Sequence, residues 1–314
     1  MRYFESLYPR LEFGAPIQLD TLLIEPIVSL GSVDDSALDV LIDLEAAYNK
    51  ELVVIKEVST GGSVQEVLVC NESEMPLVLL EGQGLEGAKQ NRAVQKTVVI
   101  PAYCTIAVPV NCVERGRWRY NTSEFRPAKF RAGPSMKMSK VSAMKMNSHS
   151  VQSEVWREVS ELSSRMSLSS STEDLGEILE RASSRDRRSF DSLERKLDQF
   201  DGYGFKVSGG SLEFMELFGR KSWAKEALLK SSREWLLDSR HRADPKHLPL
   251  SMLKSEWKKR PSVGVETQLL ADTECAGIAA EYEGELLHLF VAPEKSPIRR
   301  ARSRRADQLD LDVY

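Results

Sequence analysis

The stretch LVLLEGQGLEGAKQNRAVQKTVVI, residues 77–100, decides between two kinds of fold. It opens with an apolar strand, Leu77 to Leu80, and runs directly into Gly82, Gly84 and Gly87, spaced as GxGxxG. In a dinucleotide-binding fold these glycines open a full helix, a parallel strand follows, and an acid stands about 20 residues on. Here a new strand begins near Thr97, too soon for a crossover of about a dozen residues, and no acid lies between Glu86 and Glu114. The Rossmann reading fails, and the strands on either side of the glycines belong to a largely antiparallel sheet.

Outward from this stretch the same geometry holds. Thr21 to Val28, Leu52 to Val58, Val64 to Cys70 and Ile106 to Glu114 alternate or run apolar with β-branched residues. Gly61-Gly62, Asn71 to Glu74 before Pro76, and Pro101-Ala102 supply turns between strands. Such closely spaced strands predict a sandwich or barrel, interrupted by one helix over Ser36 to Asn49 with an apolar stripe through Leu38, Leu41, Ile42 and Leu44 to Ala47. Residues 125–150 contain Pro127, Gly133, Pro134 and no acid, and read as a long basic loop. Helices are expected over Val151 to Arg165, over Glu173 to Phe200 with Ser171 or Thr172 as N-cap, and over Ser222 to Ser239. Phe205 to Phe218 reads as a hairpin turning at Gly209-Gly210, Val263 to Leu270 as a strand, and Cys275 to Val291 as two strands turning at Glu283-Gly284. The expected fold class is α+β: a β-rich unit over 1–124, a basic boundary loop over 125–150, an α+β region over 151–293 packing on the first, and a disordered charged tail over 294–314.

Composition narrows the setting. Apolar residues at 41% and charged residues at 29% fit a packed globular chain. No apolar run approaches the roughly 18 residues of a membrane span, and Glu5, Glu12 and Asp20 stand where a signal peptide needs an apolar core, so a cytoplasmic location is expected. Cys70, Cys104, Cys112 and Cys275 show no CxxC spacing and read as reduced thiols. The net charge of −4 hides an asymmetry: residues 1–90 hold sixteen acids against five bases, a net of −11, and residues 91–153 eleven bases against two acids, a net of +9. Mutual neutralisation of two packed segments is the favoured reading; a basic groove for a phosphorylated ligand is the other.

Two polar clusters carry the chemistry. The first is Glu81 to Arg92. Its glycines let backbone approach a ligand closely, Lys89 and Arg92 can neutralise phosphate or carboxylate, and Gln90 and Asn91 can read amide or base edges. A solvated surface loop is the plainer alternative. The second is Asn111 to Tyr120. Ile106, Val108, Val110, Cys112 and Glu114 share one strand face, so Glu114 ends an apolar row where a carboxylate is partly desolvated and suited to general-base work; the plainer alternative is a rim glutamate, and for Cys112 a core thiol is favoured. Arg115, Arg117 and Arg119 interleave with Trp118 and Tyr120, a pattern that stacks a ring and holds its phosphate, or else anchors a strand end. His288, between Leu286 and Phe290 on one strand face, reads as a hydrogen-bonded core histidine. No HExxH, CxxC, HxH, P-loop or GxSxG occurs, and no metal or cofactor is named by any motif.

Together the segments FGAPIQLDTLLIEPI (13–27), LLEGQGLEGAKQNR (79–92) and VPVNCVERGRW (108–118) resemble the ARG and Rhodanese-Phosphatase-superfamily-associated Protein domain family. Weaker similarity continues in QSEVW (152–156), SSTEDL (170–175) and ELLHLF (285–290). The family name records association with ADP-ribosylglycohydrolases, which implies nucleotide metabolism or a bacterial conflict setting. The chain departs from the resemblance at Gln83-Gly84, where acids are expected in relatives. The expectation is a protein that binds a small phosphorylated ligand of the ADP-ribose or nucleotide type, with processing of that ligand as the stronger form. Ligand-binding residues would be Gly82, Gly87, Lys89, Gln90, Asn91, Arg92, Arg117 and Trp118; Glu81, Glu86 or Glu114 would supply acid-base chemistry. The alternative is an interaction module, for instance in a homo-oligomer, without ligand. Nucleic-acid binding through residues 115–145 and the arginine tail is less favoured, and no membrane partner is expected.

Overall fold

Val53, Ile55, Val67, Val69, Val108 and Val110 are buried while their strand neighbours are more exposed, and the strands that carry them curl into a closed barrel. The computed structural model describes residues 10–31, 35–145, 151–168, 170–185, 187–209, 212–239, 257–260, 262–270 and 275–293. Among these, the strands are β1 Glu12–Phe13, β2 Ile17–Leu19, β3 Leu22–Ser29, β4 Ile42–Asp43, β5 Val53–Glu57, β6 Glu66–Asn71, β7 Leu77–Leu79, β8 Gln83–Gly87, β9 Arg92–Val94, β10 Val98–Ile100, β11 Thr105–Cys112, β12 Phe125–Arg131, β13 Gly204–Gly209, β14 Leu212–Phe218, β15 Trp257–Arg260, β16 Glu266–Leu270, β17 Cys275–Tyr282 and β18 Glu285–Pro293. The helices are α1 Leu44–Asn49, α2 Pro134–Lys145, α3 Val151–Met166, α4 Leu175–Arg185, α5 Arg187–Leu197 and α6 Lys221–Ser239.

The barrel runs β11-β6-β5-β12-β8-β9, and β9 pairs back to β11. Its filling continues into a small sheet β10-β7-β4 and into Leu44 and Ala47 of α1, so that Leu77, Leu79, Val98 and Ile100 share one core with the barrel valines. A second, antiparallel sheet runs β1-β3-β13-β14-β18-β17-β16-β15, with β2 also on β3. Strands β1–β3 thus join the C-terminal strands and not the barrel. One face of this sheet presents Phe205, Phe214, Phe218 and Phe290 to Trp223 and Trp235 of α6; Trp235 lies 5.1 Å from Phe205 and 5.0 Å from Phe214. Each such buried ring contributes about 1.5–3 kcal/mol relative to exposure. The opposite face places Met215, Leu217, Leu289 and Val291 in a separate core with Ile27 and Trp257.

The α+β class holds, and the N-terminal half closes as a barrel. The hairpin β13–β14 forms with Gly209 opposite Leu212, and β17–β18 turn at Glu283-Gly284. Three elements differ from expectation. Ser36 to Asn49 is not one helix: a short 3-10 turn, Asp35–Leu38, precedes β4, and Asp43 then caps α1 by accepting from the Ala46 amide at 2.9 Å. Glu173 to Phe200 divides into α4 and α5, and the cap is Asp174, whose carboxylate accepts from the Gly176 and Glu177 amides at 3.3 and 3.2 Å. Residues 125–145 of the expected basic loop form β12, which helps close the barrel, and the buried helix α2. The tail, His149, His241 and His247 lie outside the described residues.

Candidate functional site

Gly87 to Asn91 turn β8 into β9, and the segment after β11 lies over that turn. Its backbone is pinned there: the Val113 amide donates to Asn91 O at 3.1 Å, the Asn121 amide to Ala88 O at 2.9 Å, and the Ala88 amide to Thr122 Oγ1 at 2.9 Å. The start of α4 closes the far side, where Arg115 and Gly116 donate to Thr172 O and Leu175 donates to Val113 O. The two clusters singled out in the sequence therefore meet.

Glu114 is buried and fully engaged. Arg117 grips it through Nε at 2.8 Å and Nη2 at 2.7 Å, and the Asn91 amide donates to it at 3.0 Å. A bidentate, charge-assisted pair of this kind fixes both partners; Arg117 also donates to Ala88 O at 2.6 Å and Gly87 O at 3.3 Å. Asn91 bridges outward, donating from Nδ2 to Asp174 at 3.1 Å. Burial raises the Asp174 pKa against that hydrogen bond and the two helix amides.

Arg92 is fully buried. Nη1 donates to Gln90 Oε1 at 3.0 Å and to Cys112 Sγ at 2.7 Å, Nη2 to Ser63 O at 3.1 Å, and Glu57 stands 3.7 Å away. Burial pushes the Cys112 thiol up to about 11 despite the adjacent guanidinium, so it is protonated at neutral pH and a poor nucleophile. Gln90 donates from Nε2 to Arg115 O at 3.2 Å.

Lys89 is buried just beneath the rim. Its ammonium donates to Thr60 O at 2.6 Å and Gly61 O at 2.8 Å, and lies 5.4 Å from the Trp118 ring and 5.2 Å from the Tyr120 ring. Both rings are half open to solvent, at 46% and 49%. Cation–π contact of this kind stabilises the ammonium where water is partly excluded.

The structure thus assembles Gly87, Lys89, Gln90, Asn91, Arg92, Glu114, Arg117 and Trp118. It separates Glu86, Glu81 and Gly82 from them. Glu86 faces the barrel exterior, 2.6 Å from Arg126, because alternate strand residues point to opposite sides. Glu81 enters an interior network: it pairs with Lys140 of α2, its carbonyl accepts from Arg131 Nη2 at 2.6 Å, and His288 Nδ1 lies 3.6 Å from its Oε2. Glu216 of β14 completes that network, pairing with Lys137 and lying 2.7 Å from His288 Nε2 and 3.7 Å from Arg131. Gly82 packs on it, a Cβ there standing 2.9 Å from Lys137 Cε. His288 is the hydrogen-bonded core histidine expected, with Glu216 as partner. At Gln83-Gly84, Gln83 accepts the Leu80 amide at 2.8 Å, and a Cβ on Gly84 would stand 2.6 Å from Phe130 O, leaving no room there for a side chain.

Two acids of the site escaped the sequence reading. Glu57 ends the buried row Val53, Ile55, Glu57, the same signal that marks Glu114; its Oε1 accepts the Lys89 amide at 3.3 Å, and its Oε2 has no hydrogen-bond partner among the described residues. The other is Asp174, which falls in the first turn of the helix expected from Glu173 and carries no site signal of its own. Among the described residues no cluster of His, Cys, Asp and Glu has metal-binding geometry, and no helix is long and apolar enough to cross a membrane.

The sequence profile of the ARG and Rhodanese-Phosphatase-superfamily-associated Protein domain matches residues 10–292. No curated protein and no solved structure matches the chain.

Proposed function

We propose, from the premise that the chain belongs to the ARG and Rhodanese-Phosphatase-superfamily-associated Protein domain family, that it binds a small phosphorylated ligand of the ADP-ribose or nucleotide type at the Lys89–Trp118 cluster. The observation that carries this reading is the Lys89 ammonium held beside two half-exposed aromatic rings, with Arg92 and Arg117 behind it. A base or sugar ring stacks on Trp118 or Tyr120, a contact worth about 1–3 kcal/mol for a base, and the phosphate takes Lys89. Arg117 and Glu114 hold the turn that presents Lys89. If turnover follows binding, Glu57 is the acid-base group, since Glu114 has its oxygens committed to Arg117 and Asn91. The resemblance implies a setting in nucleotide metabolism or bacterial defence.

A thermal-shift screen of the full chain against ADP-ribose, NAD, mononucleotides and inorganic phosphate tests this. Ligand at 100 times its dissociation constant adds about 2.7 kcal/mol of stability, and Lys89→Ala should abolish the shift. Absence of any shift moves the weight to an assembly module, whose signature is an oligomer in light scattering that Trp118→Glu dissociates. Nucleic-acid binding through residues 115–145 and the arginine tail stays the less favoured reading; within that stretch Lys137 and Lys140 are buried in ion pairs and out of reach of a phosphate backbone.

A further inference from the structure

The turn between β5 and β6 covers the cluster with its own backbone. Thr60 O and Gly61 O take Lys89 Nζ at 2.6 and 2.8 Å, Ser63 O takes Arg92 Nη2 at 3.1 Å, and Val64 O lies 3.4 Å from Cys112 Sγ. Four carbonyls within five residues thus face two cations and a thiol. Ser59, Thr60 and Gly61 are exposed, and the turn is closed by one backbone hydrogen bond from the Gly62 amide to Ser59 O at 3.0 Å. Gly62 sits at φ +77°, and a Cβ there would stand 3.1 Å from Lys89 Cδ and 3.3 Å from Trp118 Cζ2, so the turn packs against both the lysine stem and the ring.

A neutral carbonyl is a weaker acceptor for an ammonium or guanidinium than a phosphate oxygen. Resting on the ligand-binding reading above, we infer that residues 59–64 form a strap whose carbonyl oxygens occupy the places of the ligand's phosphate oxygens, and that the ligand binds by displacing it. The strap also indicates the ligand class. Its oxygens are divided between Lys89, which takes two, and Arg92, which takes one. A diphosphate spreads its oxygens over two such centres, so a nucleoside diphosphate fits better than a monophosphate.

The test is calorimetric titration of the full chain with ADP and with AMP, beside Ser59→Gly/Thr60→Gly, which loosens the strap without touching Lys89, Arg92 or Trp118. The expected results are ADP bound more tightly than AMP, severalfold tighter ADP binding by the glycine variant, and faster hydrogen exchange at the Gly62 amide when ADP is present. Binding of ADP that slows that exchange and is unchanged or weakened in the variant overturns the strap while leaving the ligand site standing. Failure of both chains to bind either nucleotide removes the ligand reading, and the strap falls with it.

Discussion

At the level of single residues, Trp118 separates function from stability most cleanly. Its side chain is half exposed, so Trp118→Ala should cost only about 1 kcal/mol in chemical denaturation, the loss of its cation–π contact with Lys89, while weakening nucleotide binding about tenfold or more, as loss of a stacked ring does. Gly84→Ala should do the reverse. A methyl 2.6 Å from Phe130 O and 2.8 Å from Ala128 Cβ forces β8 and β12 apart, at a cost of about 1–3 kcal/mol. Lys89, Asn91, Arg92, Glu114 and Trp118 were legible because they stand at strand ends, where an apolar row gives way to charge. Glu57 carries the same mark at the end of Val53-Ile55 but lacks the neighbouring arginines that flag Glu114. Glu81 and Glu86 neighbour the site in sequence, yet one enters the interior and the other faces outward.

Among the elements, α2 shows most clearly what a sequence conceals. PSMKMSKVSAMK lacks an apolar stripe and an acid, and so reads as loop; it is a helix buried on most sides because its charges find partners on other elements, Lys137 at Glu216 and Lys140 at Glu81. Nothing local announces such a helix. Removing one partner leaves the other buried and unpaired. Lys140→Met should therefore cost about 3–5 kcal/mol, and Lys140→Met/Glu81→Gln much less than the sum of the two single changes, as a double-mutant cycle by denaturant melts would register. The N-terminus of α4 offers a second check. Asp174→Ala removes the cap and the Asn91 contact together, with an expected loss of about 1–2 kcal/mol, and Asp174→Asn should retain most of it.

Across the whole molecule, the opposed charges of the two N-terminal segments meet as the favoured reading anticipated: Arg92 faces Glu57, Arg126 faces Glu86 and Lys140 pairs with Glu81. The antiparallel barrel and the C-terminal hairpins were readable from alternation and turn residues. The pairing of β3 with β13 joins residues far apart in the chain and leaves no local trace. The interior network gives stability a pH dependence of definite sign. Burial lowers the His288 pKa from its ordinary 6.5 against the pull of Glu216, so below 6.5 the unfolded chain takes a proton that the folded chain refuses. Burial pushes Glu216 up, but Lys137, His288 and Arg131 outweigh it and hold the carboxyl below its ordinary 4.5, so its contribution is present above that pH and lost below it. Both act in one direction. Stability should fall as pH drops through 6.5 and again below 4.5, by up to about 1.4 kcal/mol per pH unit for each proton, and His288→Gln should flatten the first step in pH-dependent melts.

The ligand site is tested most directly by a calorimetric titration of the full chain with ADP-ribose and ADP, repeated on Lys89→Ala. Saturable binding to the parent chain that disappears in the variant, with the variant's circular dichroism unchanged, is the result the cluster of Lys89, Trp118 and Tyr120 predicts. Binding that survives intact in Lys89→Ala, or no heat with either nucleotide, would contradict it.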